Sequence, residues 1–184
     1  MKDEEWKQEQ LQRIDDARRQ GRLERVARTR VHELIPYHFF SPASSECRDA
    51  FIDGHYYACV SLAQAVAEGL ARFLNGFHHV GAKNDPQKLV YRLKKAGAIS
   101  DASLKAFLRI WGNDRNTFHH VNTDIPTDSA ELERRAEECI NSLYEIESEL
   151  FAYTSQEGRI IPKNEGYWPA ADQEHLQVFL RASH

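Results

Sequence analysis

Between residues 47 and 153 the apolar side chains recur at intervals of three and four, the spacing of a helix face, and no strand-like alternation interrupts them. Over residues 47–77, Phe51, Val60, Ala63, Val66, Leu70 and Leu74 belong to an arc broad enough to predict a buried central helix, in which Gly54 and Gly69 permit close helix approach. Asp85-Pro86 reads as a cap followed by proline in a first turn, and the short helix it opens, through Leu89, Val90 and Leu93, stops at Gly97. Ser100 or Asp101 caps the next, which carries Leu104, Phe107, Leu108 and Trp111. Asp128 or Ser129 caps a last long helix with Leu132, Ala136, Ile140, Leu143, Ile146 and Leu150 inside and an acidic face outside.

The flanks differ in character. Residues 1–34 form a charged N-terminal arm of one long or two short helices, with Leu11, Ile14, Ala17, Leu23 and Val26 loosely spaced around Gly21. Seven arginines fall between Arg13 and Arg30, so the arm reads either as a guide for RNA or as a solvated helix face or partner-docking arm. Residues 34–45, with two prolines and the aromatic anchors Tyr37, Phe39 and Phe40, read as a packed linker, with Ser44 or Ser45 capping the helix after it. The domain plan is therefore an arm (1–34), a helical bundle (35–153) and an irregular tail (154–184) in which residues 172–181 form a short helix. Tyr167 and Trp168 in that tail read as packing residues or a dimer contact. The expected fold is an all-α bundle of four main helices with strands absent or tiny.

A chain of 184 residues accommodates one domain with appendages rather than two domains. With 41% hydrophobic and 28% charged residues the composition is globular, and the net charge of -4 requires any RNA contact to come from a local basic patch. Cys47, Cys59 and Cys139 form no CxxC pair, and their odd number argues against a disulfide framework and for a reducing, cytoplasmic setting. No leader-like or membrane-spanning apolar run is evident, so no membrane partner is expected. His78-His79 and His119-His120 are adjacent rather than four apart, and no phosphate-binding glycine loop or nucleophile elbow occurs. No metal and no cofactor are expected.

Candidate chemistry concentrates in Gly112-Asn113-Asp114-Arg115-Asn116-Thr117-Phe118-His119-His120, where a guanidinium, two imidazoles and amides crowd together after an apolar run. A permanent planar cation suits a phosphodiester, and a histidine near neutral pH can take or give a proton at a ribose hydroxyl or a leaving oxygen. Asn116 and His120 are four apart and share a helix face, whereas His119 lies nearer the apolar stripe of Leu104, Phe107, Leu108, Trp111 and Phe118. The same residues also read as satisfied surface or core histidines with Arg115 paired to an acidic neighbour. Glu68 sits within the stripe of residues 47–77, where a carboxylate must lie at an edge or meet a cation such as Arg115.

An Arg followed by Asn, three further residues and His, late in a four-helix chain, resembles the signature of the HEPN superfamily of nucleotide-binding and ribonuclease domains. The likeness extends over about residues 45–153 and implies a HEPN-like four-helix bundle. Carried over residue by residue, it implies Arg115 and His120 as the catalytic pair, Asn116 as the polar residue that assists them, and Glu68 as an orienting acid; His119, from its place beside the apolar stripe, is read as a supporting residue. It further implies a metal-independent endoribonuclease, a homodimer with two motifs in one cleft, and RNA as substrate. A defence or toxin–antitoxin setting, with an antitoxin or regulatory protein as partner, belongs to the same expectation. Toxin-like members often carry Tyr two places after the His, where this chain has Asn122. The alternative function is a non-catalytic helical module that uses the same surface to bind a nucleotide, RNA or protein.

Overall fold

Gly54 stands at φ +82°, a conformation costly for any residue with a Cβ, and it cuts the apolar run of residues 47–77 into two helices. In a computed structural model that describes residues 2–36, 40–81, 85–112, 118, 128–168 and 179–180, the helices are α1 (Lys2–Arg28), α2 (Ser41–Ile52), α3 (Tyr56–His78), α4 (Pro86–Lys95), α5 (Asp101–Trp111) and α6 (Ser129–Leu150). The strands are β1 (Leu34–Ile35), β2 (Tyr153–Gln156), β3 (Arg159–Pro162) and β4 (Phe179–Leu180). The fold is all-α, with strands of two to four residues.

Three helix starts follow from side-chain caps: Asp85 accepts from Lys88 N at 3.0 Å, Ser100 from Ser103 N at 3.1 Å and Asp128 from Ala130 N at 3.1 Å. The α2 start differs from expectation. It begins at Ser41, with Pro42 pre-set for a first turn, and Ser44 is not a cap; its hydroxyl donates instead to Glu147 of α6 at 2.6 Å.

Helix α3 buries the broadest arc, from Cys59 and Val60 through Ala63, Ala67 and Leu70 to Leu74, and packs against α2, α4, α5 and α6. Phe107, Ile110 and Trp111 of α5 and Ile140, Leu143 and Ile146 of α6 fill the core beside it. Gly69 brings α3 close to the linker, since a Cβ there would stand 3.2 Å from Phe40 Cε1. Glu149 accepts from Ser100 N at 2.7 Å and from the Ser103 hydroxyl at 2.6 Å, which fixes the start of α5 against α6. The thiols of Cys47 and Cys59 lie 3.9 Å apart, and burial pushes the Cys139 thiol up to about 12, far from the reactive thiolate.

The linker and the tail hold more strand than expected. Leu34 and Ile35 pair antiparallel with Leu180 and Phe179, so the end of the stretch expected as a helix over residues 172–181 is a strand, and residues 172–178 and 181 lie outside the described set. Residues 153–162 form a hairpin whose turn places Glu157 and Gly158 at positive φ, as a tight two-residue connection requires. Trp168 is buried beside Tyr153, and Tyr167 packs on Phe73 and Phe77. Tyr37 and Phe39 lie outside the described residues.

Arg48 on α2 is only 8% exposed and its Nε has no hydrogen-bond partner among the described residues, beside a pocket with room for about one water molecule lined also by Ser44, Tyr144 and Glu147. A buried donor without a partner costs about 1–3 kcal/mol. Arg48→Met, which keeps the apolar stem, is therefore expected to leave stability in urea melts unchanged or to raise it within that range; a loss above about 1 kcal/mol would mean that the guanidinium is satisfied.

Candidate functional site

Helix α5 stops at Gly112, whose φ of +36° and ψ of −158° turn the chain away from the helix axis. Of the eight motif residues after Gly112, Phe118 is described, while Arg115, Asn116, His119 and His120 lie outside the described residues. Phe118 is 1% exposed and its ring centroid lies 5.5 Å from that of Tyr57. The Tyr57 hydroxyl donates to the Phe118 carbonyl. Phe107, Trp111 and Phe118 are buried together, while Leu104 and Leu108 are partly buried against the same core, as the apolar stripe predicts.

One face of α3 holds Trp111, just before the segment, and Phe118 within it. Gln64 Nε2 donates to the Ile110 carbonyl at 3.4 Å, and Trp111 Nε1 donates to the Gln64 carbonyl at 3.5 Å. Tyr57, Gln64 and Glu68 fall within about 40° of one another on α3 at 100° per residue. Trp111 is thus fixed at the Gln64 level and Phe118 at the Tyr57 level, about two turns apart along α3. Glu68 lies eleven residues beyond Tyr57, about 16 Å along the axis at 1.5 Å per residue. Its side chain is 20% exposed and forms an ion pair with Arg72 one turn on. The carboxylate therefore lies at the edge of the buried face, and the pairing with Arg115 falls outside the described residues.

The same end of α3 carries a second charged cluster that the sequence did not reveal. Arg25 Nε donates to the Ile52 carbonyl at 2.7 Å and its Nη1 donates to the Tyr56 hydroxyl at 3.3 Å. Tyr56 donates to Glu133 at 2.5 Å, and Arg28 bonds Glu133 and, at 2.8 Å, Glu137. Arg22 closes onto Asp53 at 2.6 Å. Three of the arm's arginines therefore fasten α1 to the chain's own bundle, a role that neither reading of the arm included. The available signal was spacing: Arg22, Arg25 and Arg28 three apart, and Glu133 and Glu137 four apart.

Burial pushes the Tyr56 phenol up, and its hydrogen bond to Glu133 adds to the shift. Burial also pushes Glu133 upward, but the hydrogen bonds from Tyr56 and Arg28 outweigh it and leave the carboxyl below its ordinary value of 4.5. A depressed carboxyl contributes stability that is whole above its unfolded value and is lost as pH falls through the folded one. Glu133→Gln is thus expected to be less stable than wild type at neutral pH, with the gap in urea melts closing as the pH drops well below 4.5. A gap independent of pH would assign the loss to packing instead.

Among the described residues the guanidiniums of this cluster face carboxylates or a carbonyl, so it serves as a closed fastening more readily than as an open anion site. No helix among the described residues is long and apolar enough to cross a membrane. Compared with models of known families, with curated proteins and with solved structures, the chain matches none.

Proposed function

We propose that this chain is a metal-independent endoribonuclease of HEPN type that acts as a homodimer on RNA. What carries the reading is the Arg-Asn-x3-His spacing from Arg115 to His120, set in a segment whose flanking residue Trp111 and internal residue Phe118 are both held on one face of α3. A site that must align two groups on one phosphate benefits from such a rigid backing.

In this reading Arg115 holds the scissile phosphate in a planar fork. His120 takes the proton of the ribose 2′-OH, or delivers one to the departing 5′-oxygen. The 2′-oxygen forms a bond to phosphorus as the P–O5′ bond breaks, leaving a 2′,3′-cyclic phosphate and a 5′-hydroxyl. Asn116 hydrogen-bonds the pair, Glu68 orients the motif and His119 braces it. The nucleophile belongs to the RNA, so no metal is required. A homodimer doubles a sparse site of one Arg and one His. A defence or toxin–antitoxin role, with a protein antitoxin that covers the site, is part of the proposal.

The test is RNA cleavage by wild type and His120→Ala, with and without EDTA. Cleavage that ignores EDTA and disappears with the histidine supports the nuclease. Cleavage that needs a divalent ion or survives the substitution would assign the surface to non-catalytic binding.

A further inference from the structure

The net charge of the chain is -4, yet residues 86–109 carry six cations, Lys88, Arg92, Lys94, Lys95, Lys105 and Arg109, against the one carboxylate of Asp101, a net charge of +5. Such a segment gives an acidic protein a local field of the opposite sign. On α4 the packing fixes where these charges point. Leu89, Val90 and Leu93 are buried within an arc of about 100° at 100° per residue, and Lys88, Tyr91, Arg92 and Lys95 share an arc of about 100° on the opposite side. All four of those residues are exposed, and Tyr91 stands 54% exposed.

Little on the protein neutralises this face. Arg92 Nη1 donates to the Val80 carbonyl at 3.2 Å, a neutral partner, and Lys95 has no ion pair among the described residues. Lys88 Nζ lies 3.1 Å from Asp85, but the lysine side chain is 75% exposed and the same carboxylate caps α4, so the pair is weak and open to exchange. Lys94, off this arc, pairs with Asp101. The guanidiniums of Arg22, Arg25 and Arg28 differ, because they are bonded to the bundle. Lysines and an arginine around an exposed ring suit one class of ligand: the cations meet phosphates, and the ring offers a flat face to an unpaired base. Lys88 and Lys95 stand about 10 Å apart along the axis, a reach that takes in successive phosphates of a single strand. The arc holds no aliphatic residue with which to enter a lipid surface.

We infer that the outward face of α4 binds single-stranded RNA, with Lys88, Arg92 and Lys95 on phosphates and Tyr91 under a base. The face lies away from the candidate motif. Arg92 bonds the carbonyl of Val80, just past the end of α3, whereas Trp111 is held at Gln64, about 21 Å along α3 from His78. It therefore grips nucleotides several positions from the bond to be broken. The inference rests on RNA as the substrate proposed above and not on the roles of Arg115 and His120.

Binding of a fluorescent 2′-O-methyl oligoadenylate, which has no 2′-hydroxyl to attack, to the full chain tests it, with melting curves to confirm that each variant folds. Lys88→Gln/Lys95→Gln should weaken binding about tenfold near physiological salt and flatten the slope of log affinity against log salt by about 1.4, the share of two phosphate contacts on a single strand. Tyr91→Ala should weaken it about five- to hundredfold, and Tyr91→Phe should bind as wild type does. Lys163→Gln removes an exposed lysine outside α4 and should change neither affinity nor slope. A wild type that leaves the oligoadenylate free, or α4 variants that bind as wild type does, would remove this surface and leave the nuclease to be judged on cleavage. Loss in the lysine variant without loss in Tyr91→Ala would overturn the RNA assignment in favour of an acidic protein, and binding of phosphatidylserine vesicles in place of the oligoadenylate would overturn it in favour of a membrane. Binding through α4 by a chain that cleaves no RNA would uphold the surface and remove the nuclease.

Discussion

His120→Ala and Arg115→Ala are each expected to lower RNA cleavage by about 10²–10⁴-fold, the usual scale for losing an acid–base group, while leaving the melting curve nearly unchanged. The separation of the two effects follows from the roles proposed for these residues. A proton shuttle and a phosphate clamp act on the substrate and not on the core, so their removal spares the packing of Phe107, Trp111 and Phe118. Products should end in 2′,3′-cyclic phosphate, and chelators should have no effect. His119→Ala is expected to behave differently, costing stability first and activity only as the structure loosens, because its place in the sequence is nearer the apolar stripe. An activity loss in His120→Ala that matches its loss of folded protein would mean that the imidazole is structural.

Phe118→Ala is expected to cost about 3–5 kcal/mol, the scale for truncating a buried phenylalanine. The ring is 1% exposed and meets Tyr57, and the carbonyl beside it accepts the Tyr57 hydroxyl. For a chain of this size the loss corresponds to a fall in melting temperature of roughly 2–4 °C per kcal/mol. Phe118→Leu should lose much less. Cleavage should fall in Phe118→Ala even at temperatures where the chain remains folded, because the segment between Arg115 and His120 loses its hold on α3. A cost below about 1 kcal/mol would mean that the ring packs loosely and positions nothing.

Helices α4, α5 and α6 were legible because each states its own beginning: Asp85, Ser100 and Asp128 cap them through local hydrogen bonds, and the apolar stripes beyond those caps keep helical spacing. The break between α2 and α3 was harder to read. Asp53-Gly54 carries a turn signal, but the apolar positions resume on its far side with little visible interruption. Strand β4 could not be read at all, since two residues form a strand only because Leu34 and Ile35 wait far away in sequence. The candidate site and its surroundings divide in the same manner. Arg115, Asn116 and His120 announce themselves by spacing, whereas Tyr57 and Glu133 acquire their parts only when α3 meets Phe118 and α1 meets α6.

The way α1 is fastened has a consequence for how the molecule comes apart. The bundle is held by buried hydrocarbon, which salt does not weaken, but the arm is held by guanidinium–carboxylate contacts at partly exposed sites, which mobile ions screen over about 8–10 Å. The two therefore belong to different cooperative units. Amide hydrogens in the arm exchange through a local opening that leaves the bundle intact, whereas those of α3 exchange only when the whole bundle opens.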